Sequence, residues 1–489
     1  MSAPPETLAP RDRAVIVILL IATFVVILNE TIMNVALPVL MTDLRVDAGR
    51  AQWLSTAFML TMAVVIPITG FLLQRLATRT VFLLAMGLFS AGTLLAALAP
   101  GFVPLLLARI VQASGTAIML PLLMTTVLTV VPERGRGAVM GNISIVISVA
   151  PALGPTISGL ILQAFSWRFM FVFVLPIALA ALAYGARMLG NVGERKAAPL
   201  DVVSIPLSAV GFGGVVYALN QASGPGGFGS PAVLWPLGVA LVALVVFVAR
   251  QRALIRRDAP LLDLRAFAYP QFTLGVGVMV IAMMALFGGA ILLPLYVQGV
   301  RGLSTLQTGL LLLPGGLVMG LLAPTIGRWY DRVGPRPLTL PGTVLMAGAL
   351  FGFGGLTAAT PAWALVALHV TLSIGLALLF TPVFTSSLSP LPPRLYSHGS
   401  AILSTLQQVA GAAGTALLVT LYAARSAAQA AQGAAPTLAQ QGGIGLAFTV
   451  SAWIAVLAVP LALGLKRTGQ AGHGHGDPHA PGPAPQPGD

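Results

Sequence analysis

Apolar residues run along this chain in repeated blocks near 20 residues long, and blocks of that length are what a helix needs to cross a hydrocarbon slab of ~30 Å. Fourteen such helices are predicted, at 14–38, 51–73, 80–98, 103–131, 138–162, 168–189, 202–221, 232–249, 273–299, 304–329, 337–357, 362–386, 399–423 and 443–465. The first block is too long for a signal-peptide core and lacks a small-residue cleavage site, so it is read as a mature helix. An even number of crossings returns both termini to one face.

The polar residues inside those blocks are the informative exceptions. Only apolar residues and one threonine separate Ala14 from Leu28. A helix starting at Ala14 therefore carries Glu30 about 24 Å along its axis at ~1.5 Å per residue, inside the slab and in the half away from the amino terminus. An ionisable group at that depth faces a protein interior or a water-filled cavity and marks an ion or proton pathway. The competing reading is a helix-end glutamate among the headgroups. Asn34 lies four residues on and shares a helical face with Leu37 and, roughly, Met33, so one carboxylate and one amide are offered to a central cavity. Desolvation penalises the Glu30 anion, which suits it to proton exchange near neutral pH or to pairing with a cationic substrate.

Arg109 is the one arginine placed within a predicted helix, and it needs a carboxylate, carbonyls or water as partner. An interaction with Glu30, direct or through water, is one expectation; snorkelling to a helix end is the other. His369 lies in an apolar block as well, where a hydrogen-bonded packing role is favoured over titration. Gln112, Asn142, Gln298, Gln407 and Gln408 either line a polar cavity or join helices to one another. Pro151, Gly154, Pro155 and Gly159 predict a bend and close helix contact in the fifth helix, and Pro314-Gly315-Gly316 a similar break in the tenth.

Of 489 residues, 57% are hydrophobic and only 8% charged, against about 25% charged in ordinary soluble proteins. No soluble core absorbs that composition. The net charge of +13 would raise the question of nucleic acid in a soluble chain, but here the cations sit between apolar blocks and report topology. Loops and ends on the amino-terminal side hold twenty Lys and Arg, and the opposite side holds five: Arg45, Arg50, Arg168, Arg301 and Arg425. Both termini are therefore expected in the cytoplasm, with Glu30 in the outer half of the bilayer. The absence of cysteine removes disulfides, thiolate metal sites and cysteine nucleophiles. Arg outnumbering Lys by 24 to 2 fits a GC-rich bacterial genome.

An internal repeat orders the blocks. Gly70, Arg75 and Arg79 recur as Gly327, Arg332 and Arg336 at a constant offset of 257, after the second and tenth helices, and Gly154 recurs as Gly411. Two six-helix units with a two-helix insert satisfy that spacing, a build in which substrate binds at the repeat interface near the midplane. The expected divisions are a cytoplasmic amino terminus (1–13), a first six-helix bundle (14–189), an inserted pair with linker (190–272), a second bundle (273–465) and a disordered cytoplasmic tail (466–489). His473, His475 and His479 in that tail lack the fixed geometry a metal site needs.

These residues resemble the Major Facilitator Superfamily, and within it the fourteen-helix drug:proton antiporters related to lincomycin-type resistance exporters. The stretch Leu28–Pro38 is similar to the first-helix signature, with Glu30 where Asp is usual. Gly70–Arg79 is similar to the loop after the second helix, with Gln74 where an acid is usual, so that locking of the inward face is expected to lean on Asp331 in the second copy. Arg109, Gln112 and Gly115 match the fourth-helix Arg-x-x-Gln-x-x-Gly pattern, and Gly154-Pro155 with Gly159 the fifth-helix antiporter motif. Ser166–Phe169 resembles the entry to the sixth helix, and Leu293–Gln298 part of the ninth.

The resemblance implies an all-α polytopic membrane protein of the major facilitator fold, a monomer in a bacterial cytoplasmic membrane. It implies export of amphipathic small molecules by alternating access, driven by the proton motive force with no bound cofactor. Glu30 and Arg109 are the expected proton-coupling residues. Glu30, Met33, Asn34, Gln112, Asn142, Gln298 and Gln407 are the expected substrate contacts. Gly70, Arg75, Arg79, Gly154, Pro155, Gly159, Asp331, Arg332 and Arg336 are expected to govern conformation. No Gly-x-x-x-x-Gly-Lys-Ser/Thr sequence supplies nucleotide energy. A dedicated exporter of one natural product or lipid is the alternative within transport. A membrane enzyme or sensor would need clustered acid/base or metal-ligand residues, or a sizeable soluble domain, and neither is present in the sequence.

Overall fold

The computed structural model describes residues 10–190, 201–222, 224, 226–257 and 259–466. Asn34, Pro151 and Pro155 are described in their backbone only, and the tail histidines, Arg195 and Lys196 lie outside the described residues. Every described element is a helix. The first group comprises α1 (Pro10–Asp43), α2 (Ala48–Arg75), α3 (Thr78–Ala97), α4 (Phe102–Val130), α5 (Arg136–Ala164) and α6 (Arg168–Met188). A middle group follows: α7 (Ser204–Ser208), a π turn (Ala209–Gly213), α8 (Gly214–Gln221) and α9 (Pro231–Ile255). The last group comprises α10 (Pro270–Leu295), α11 (Thr305–Val333), α12 (Arg336–Gly354), α13 (Ala362–Leu388), α14 (Tyr396–Ala431), α15 (Pro436–Val456) and α16 (Ala458–Gly464).

Local chemistry sets several boundaries. Asp47 caps α2 by accepting a hydrogen bond from Arg50 N, and Ser304 and Gln307 form a capping box at the start of α11. Gly334, at φ 80°, ends α11 in a conformation that favours glycine.

Among the described residues twelve helices are long and apolar enough to cross a membrane. Two predicted spans stand outside that set. In α5 the described apolar stretch covers only Arg136–Ile147. The segment predicted at 202–221 is helical over 204–221 with a π turn at Ala209–Gly213, and its Ser204, Ser208, Asn220 and Gln221 and several glycines leave it less apolar than the other spans.

The helices assort into two bundles. In the first, α3 packs on α4 and α6, α2 on α4, and α1 on α4, α5 and α6; in the second, α10 packs on α13 and α14, α11 on α13, and α12 on α13 and α15. The bundles meet along two crossings, α5 on α11 and α2 on α14. Small residues make the first crossing close: a Cβ on Gly141 would stand 2.5 Å from the Ala323 carbonyl oxygen, and one on Gly327 would stand 2.2 Å from that of Gly137. The α7–α9 group lies over the second crossing, where Ala218, Ala222 and Val233 bury against Ala416 of α14 and Val216 against Ala63 of α2. Apolar side chains such as Leu95, Trp235, Val242 and Leu321 point outward, as lipid contact requires.

The bundles are also joined on the face where the chain ends. Asp331 on α11 accepts from Gly137 N at 2.9 Å and Ala138 N at 3.0 Å, so it caps the first turn of α5 across the interface. Gln74, which replaces an acid in the resembling loop, donates to the Arg394 carbonyl at 2.7 Å. Arg136 donates to the Tyr396 hydroxyl at 3.1 Å. An amide thus does at the turn just before α14 part of what a carboxylate does at α5, through one hydrogen bond instead of two.

Candidate functional site

The site begins at the middle of α1. Asp43, at the end of that helix, accepts from Trp167 Nε1 at 2.6 Å and lies 3.5 Å from the Arg168 guanidinium, which donates to the Ala99 carbonyl at 2.9 Å. The Ser166–Phe169 motif therefore pins the far end of α1 to the start of α6 and fixes the depth of everything on α1.

About three turns back, Thr31 donates to the carbonyls of Leu28 at 2.9 Å and, across to α5, Ala150 at 3.4 Å. Gly154 makes that approach possible: a Cβ there would stand 2.2 Å from Thr31 Oγ1. Gly159 differs, because a Cβ there meets nothing within 4 Å. Of the two glycines expected to bring helices together, only Gly154 sits at a tight contact.

Asn29 and Arg109 are each 1% exposed and Gln112 is fully buried. Arg109 donates to Gln112 Oε1 at 2.5 Å and to Asn29 Oδ1 at 3.3 Å, and its guanidinium carbon lies 4.1 Å from the Phe58 ring centroid. Gln112 in turn donates to Thr93 Oγ1 at 2.8 Å, and Thr93 to the Phe89 carbonyl at 2.7 Å. The spacing of the Arg-x-x-Gln-x-x-Gly pattern has a geometric reason here. Arg109 and Gln112 share one face of α4, and Gly115 lets that face reach α3, since a Cβ would stand 2.3 Å from the Ala85 carbonyl oxygen.

Glu30 is half-buried and stands close enough to Arg109 to interact electrostatically. The guanidinium reaches Asn29 and Gln112 instead of Glu30, so the two charges are not a contact ion pair. A cation sealed among neutral amides and an aromatic face is costly unless an anion lies near. Glu30, half-buried on α1, is the acidic group near it.

The second bundle approaches through Met62, one turn from Phe58 on α2, whose Sδ lies 3.8 Å from Gln408 Nε2. Gln407 beside it is 7% exposed, with its Nε2 buried and unpaired. Met33 is buried in the core. Asn142 and Gln298 are exposed. His369 on α13 packs against Gly315 of α11, where a Cβ would stand 2.6 Å from its Nε2, so the Pro314-Gly315-Gly316 break makes room for an imidazole. Arg75, Arg79 and Arg332 are exposed at the terminal face, and Arg336 donates to the Leu463 carbonyl. Asn29, Thr93 and Phe58 are the members that sequence reasoning missed. Asn29, an amide in an apolar block, carried a usable signal.

Among the described residues no group of three or more His, Cys, Asp or Glu is placed to hold a metal ion. What the arrangement offers is a half-buried carboxylate coupled electrostatically to a buried guanidinium that is held between α1 and α4.

The comparisons with known proteins agree with this architecture. The family model for the Major Facilitator Superfamily matches residues 19–415. The lincomycin resistance protein LmrB of Listeria monocytogenes is 42% identical, over 87% of this chain and 90% of that protein. A multidrug resistance protein B homolog of Mycobacterium tuberculosis is 29% identical, over 80% of this chain and 73% of that protein. Among solved structures, the human organic anion transporter MFSD10 aligns with a TM-score of 0.63 at 16% identity, covering 94% of this chain and all of that one. The proton:xylose symporter XylE aligns with a TM-score of 0.63 at 15% identity, covering 92% and 94%. The fold is thus shared with these two solved structures, and, with the family model matching residues 19–415, the chain belongs to the Major Facilitator Superfamily.

Proposed function

We propose that this transporter exports amphipathic drugs or related small molecules in exchange for protons, by alternating access between its two bundles. The observation that carries the reading is Glu30, half-buried on α1 beside the Arg109–Asn29–Gln112 cluster. A proton arriving at Glu30 removes the anion that balances Arg109, and a cationic or polar substrate competes for the same oxygens. The relatives named for lincomycin and multidrug resistance support the direction and the substrate class.

In this reading the chain crosses the membrane fourteen times, with the segments at 136–164 and 204–221 completing the set, and both termini face the cytoplasm. The closure at Asp331–Gly137 and Gln74–Arg394 then lies on the cytoplasmic side. The driving force is sufficient: one inward proton carries ~2.3 kcal/mol per 100 mV, and each pH unit adds ~1.4 kcal/mol. That supports roughly tenfold or greater concentration of a neutral substrate per proton.

The test is uptake of lincomycin and of a panel of cationic, neutral and zwitterionic compounds into inside-out vesicles under an imposed pH gradient. The wild type should accumulate several members of the panel, and Glu30→Gln should accumulate none above the level without a gradient while inserting normally. Uptake of a single compound would favour a dedicated exporter. Full gradient-driven uptake by Glu30→Gln would remove Glu30 from the coupling role.

A further inference from the structure

The base of α9 carries a feature that the transport cycle leaves unused. Arg250, Arg252, Arg256 and Arg257, with Ala249, Ala253 and Leu254, line an open recess of about 560 Å³ at the terminal face. Arg250 is occupied, because its guanidinium grips Asp201 through two hydrogen bonds of 2.6 and 2.7 Å. Arg252, Arg256 and Arg257 are exposed and form no ion pair with a described residue.

The helix above them is built for lipid. Val242, Val245, Ala249, Arg252 and Arg256 follow one another at spacings of three and four, so they fall on one face of α9. Val242 is 65% exposed and Val245 70%. The face thus passes from bare aliphatic surface to guanidinium within a few turns, the order in which an acyl chain and a phosphate follow each other in a phospholipid.

The end of α9 is also held still. Gln251, fully buried on the opposite side, accepts from Leu261 N at 2.9 Å and Leu262 N at 3.2 Å, and donates to Ser204 Oγ at 2.7 Å. Ser204 donates onward to Asp201, closing a loop that includes Arg250. Arginines on a pinned helix end lose less freedom on binding than arginines on a loose loop.

We propose that this face of α9 is a binding site for an anionic phospholipid, its phosphate held by Arg252, Arg256 and Arg257 and its acyl chain laid along Val242 and Val245. Because α7–α9 covers the α2–α14 crossing, a lipid bound here ties the inserted group to the leaflet while the bundles move. Basic clusters directly beside a membrane helix attract anionic headgroups with about 1 kcal/mol per Arg, a factor of roughly five.

The test is native mass spectrometry of the full chain released from detergent with phosphatidylglycerol or phosphatidylcholine of identical chains, and with dihexanoyl phosphatidylglycerol or inorganic phosphate as competitor. The wild type should retain long-chain phosphatidylglycerol in preference to phosphatidylcholine. Arg252→Gln/Arg256→Gln/Arg257→Gln should lose that preference by roughly 100-fold, the matching Lys variant should keep most of it, and Val242→Ser/Val245→Ser should weaken it. If the triple Gln variant does not fold, Arg256→Gln alone should show a roughly fivefold fall in the same assay. An unchanged preference in the Gln variants overturns the proposal. So does displacement of the lipid by short-chain lipid or inorganic phosphate at equal concentration, which would mark a site for any free anion.

Discussion

At the scale of single residues, what distinguishes this chain is how few polar positions make up the candidate site and how tightly small residues define their places. Gly154 and Gly159 make the point, since both were read from one motif. Gly154→Ala drives a methyl into Thr31 on the neighbouring helix and should cost about 1–3 kcal/mol of stability, lowering the thermal midpoint in detergent and reducing transport. Gly159→Ala adds its methyl to open space and should behave like the wild type in both assays. Equal effects from the two substitutions would show that the α1–α5 contact does not set the position of Glu30. Glu30, Arg109 and Gln112 were legible because an ionisable or amide group in an apolar block stands out from its neighbours. Phe58 and Thr93 were not, because an aromatic or a hydroxyl in a membrane helix is unremarkable until packing brings it against a cation.

At the scale of elements, the insert between the bundles is where sequence and structure differ most. Length and composition foresaw two helices there, but the π turn at Ala209–Gly213 and the ladder Arg250–Asp201–Ser204–Gln251–Leu261 depend on contacts between segments far apart in the chain. Asp201 is the titratable member of that ladder. Hydrogen bonds from Arg250 hold its carboxyl down at about 2, against an ordinary value of 3.8. A carboxylate depressed in the folded state stabilises above its ordinary value and loses that contribution as pH falls toward the depressed one. Asp201→Asn should therefore unfold at a lower temperature than the wild type at neutral pH, and the gap should close as pH drops from about 4 to 2. Thermal unfolding of both proteins across that range measures it, and a gap independent of pH would show that the ion pair adds nothing to the hold on α9.

At the scale of the whole molecule, two bundles meet through crossings lined by glycine and alanine, and the terminal face is closed by Asp331 capping α5 and by Gln74 reaching Arg394. The two joining loops, Gly70–Arg79 and Gly327–Arg336, are the pair that the constant offset of 257 picked out in the sequence, because Gly and Arg stand out where apolar helix residues are interchangeable. The central claim is that one carboxylate couples substrate to proton across this whole assembly. It is tested most directly by adding substrate to the purified protein in weakly buffered detergent solution and recording the protons released. The wild type should release protons on binding, with an amount that declines at high pH where Glu30 is already ionised, and Glu30→Gln should bind without release. Proton release from Glu30→Gln equal to that of the wild type would contradict the account.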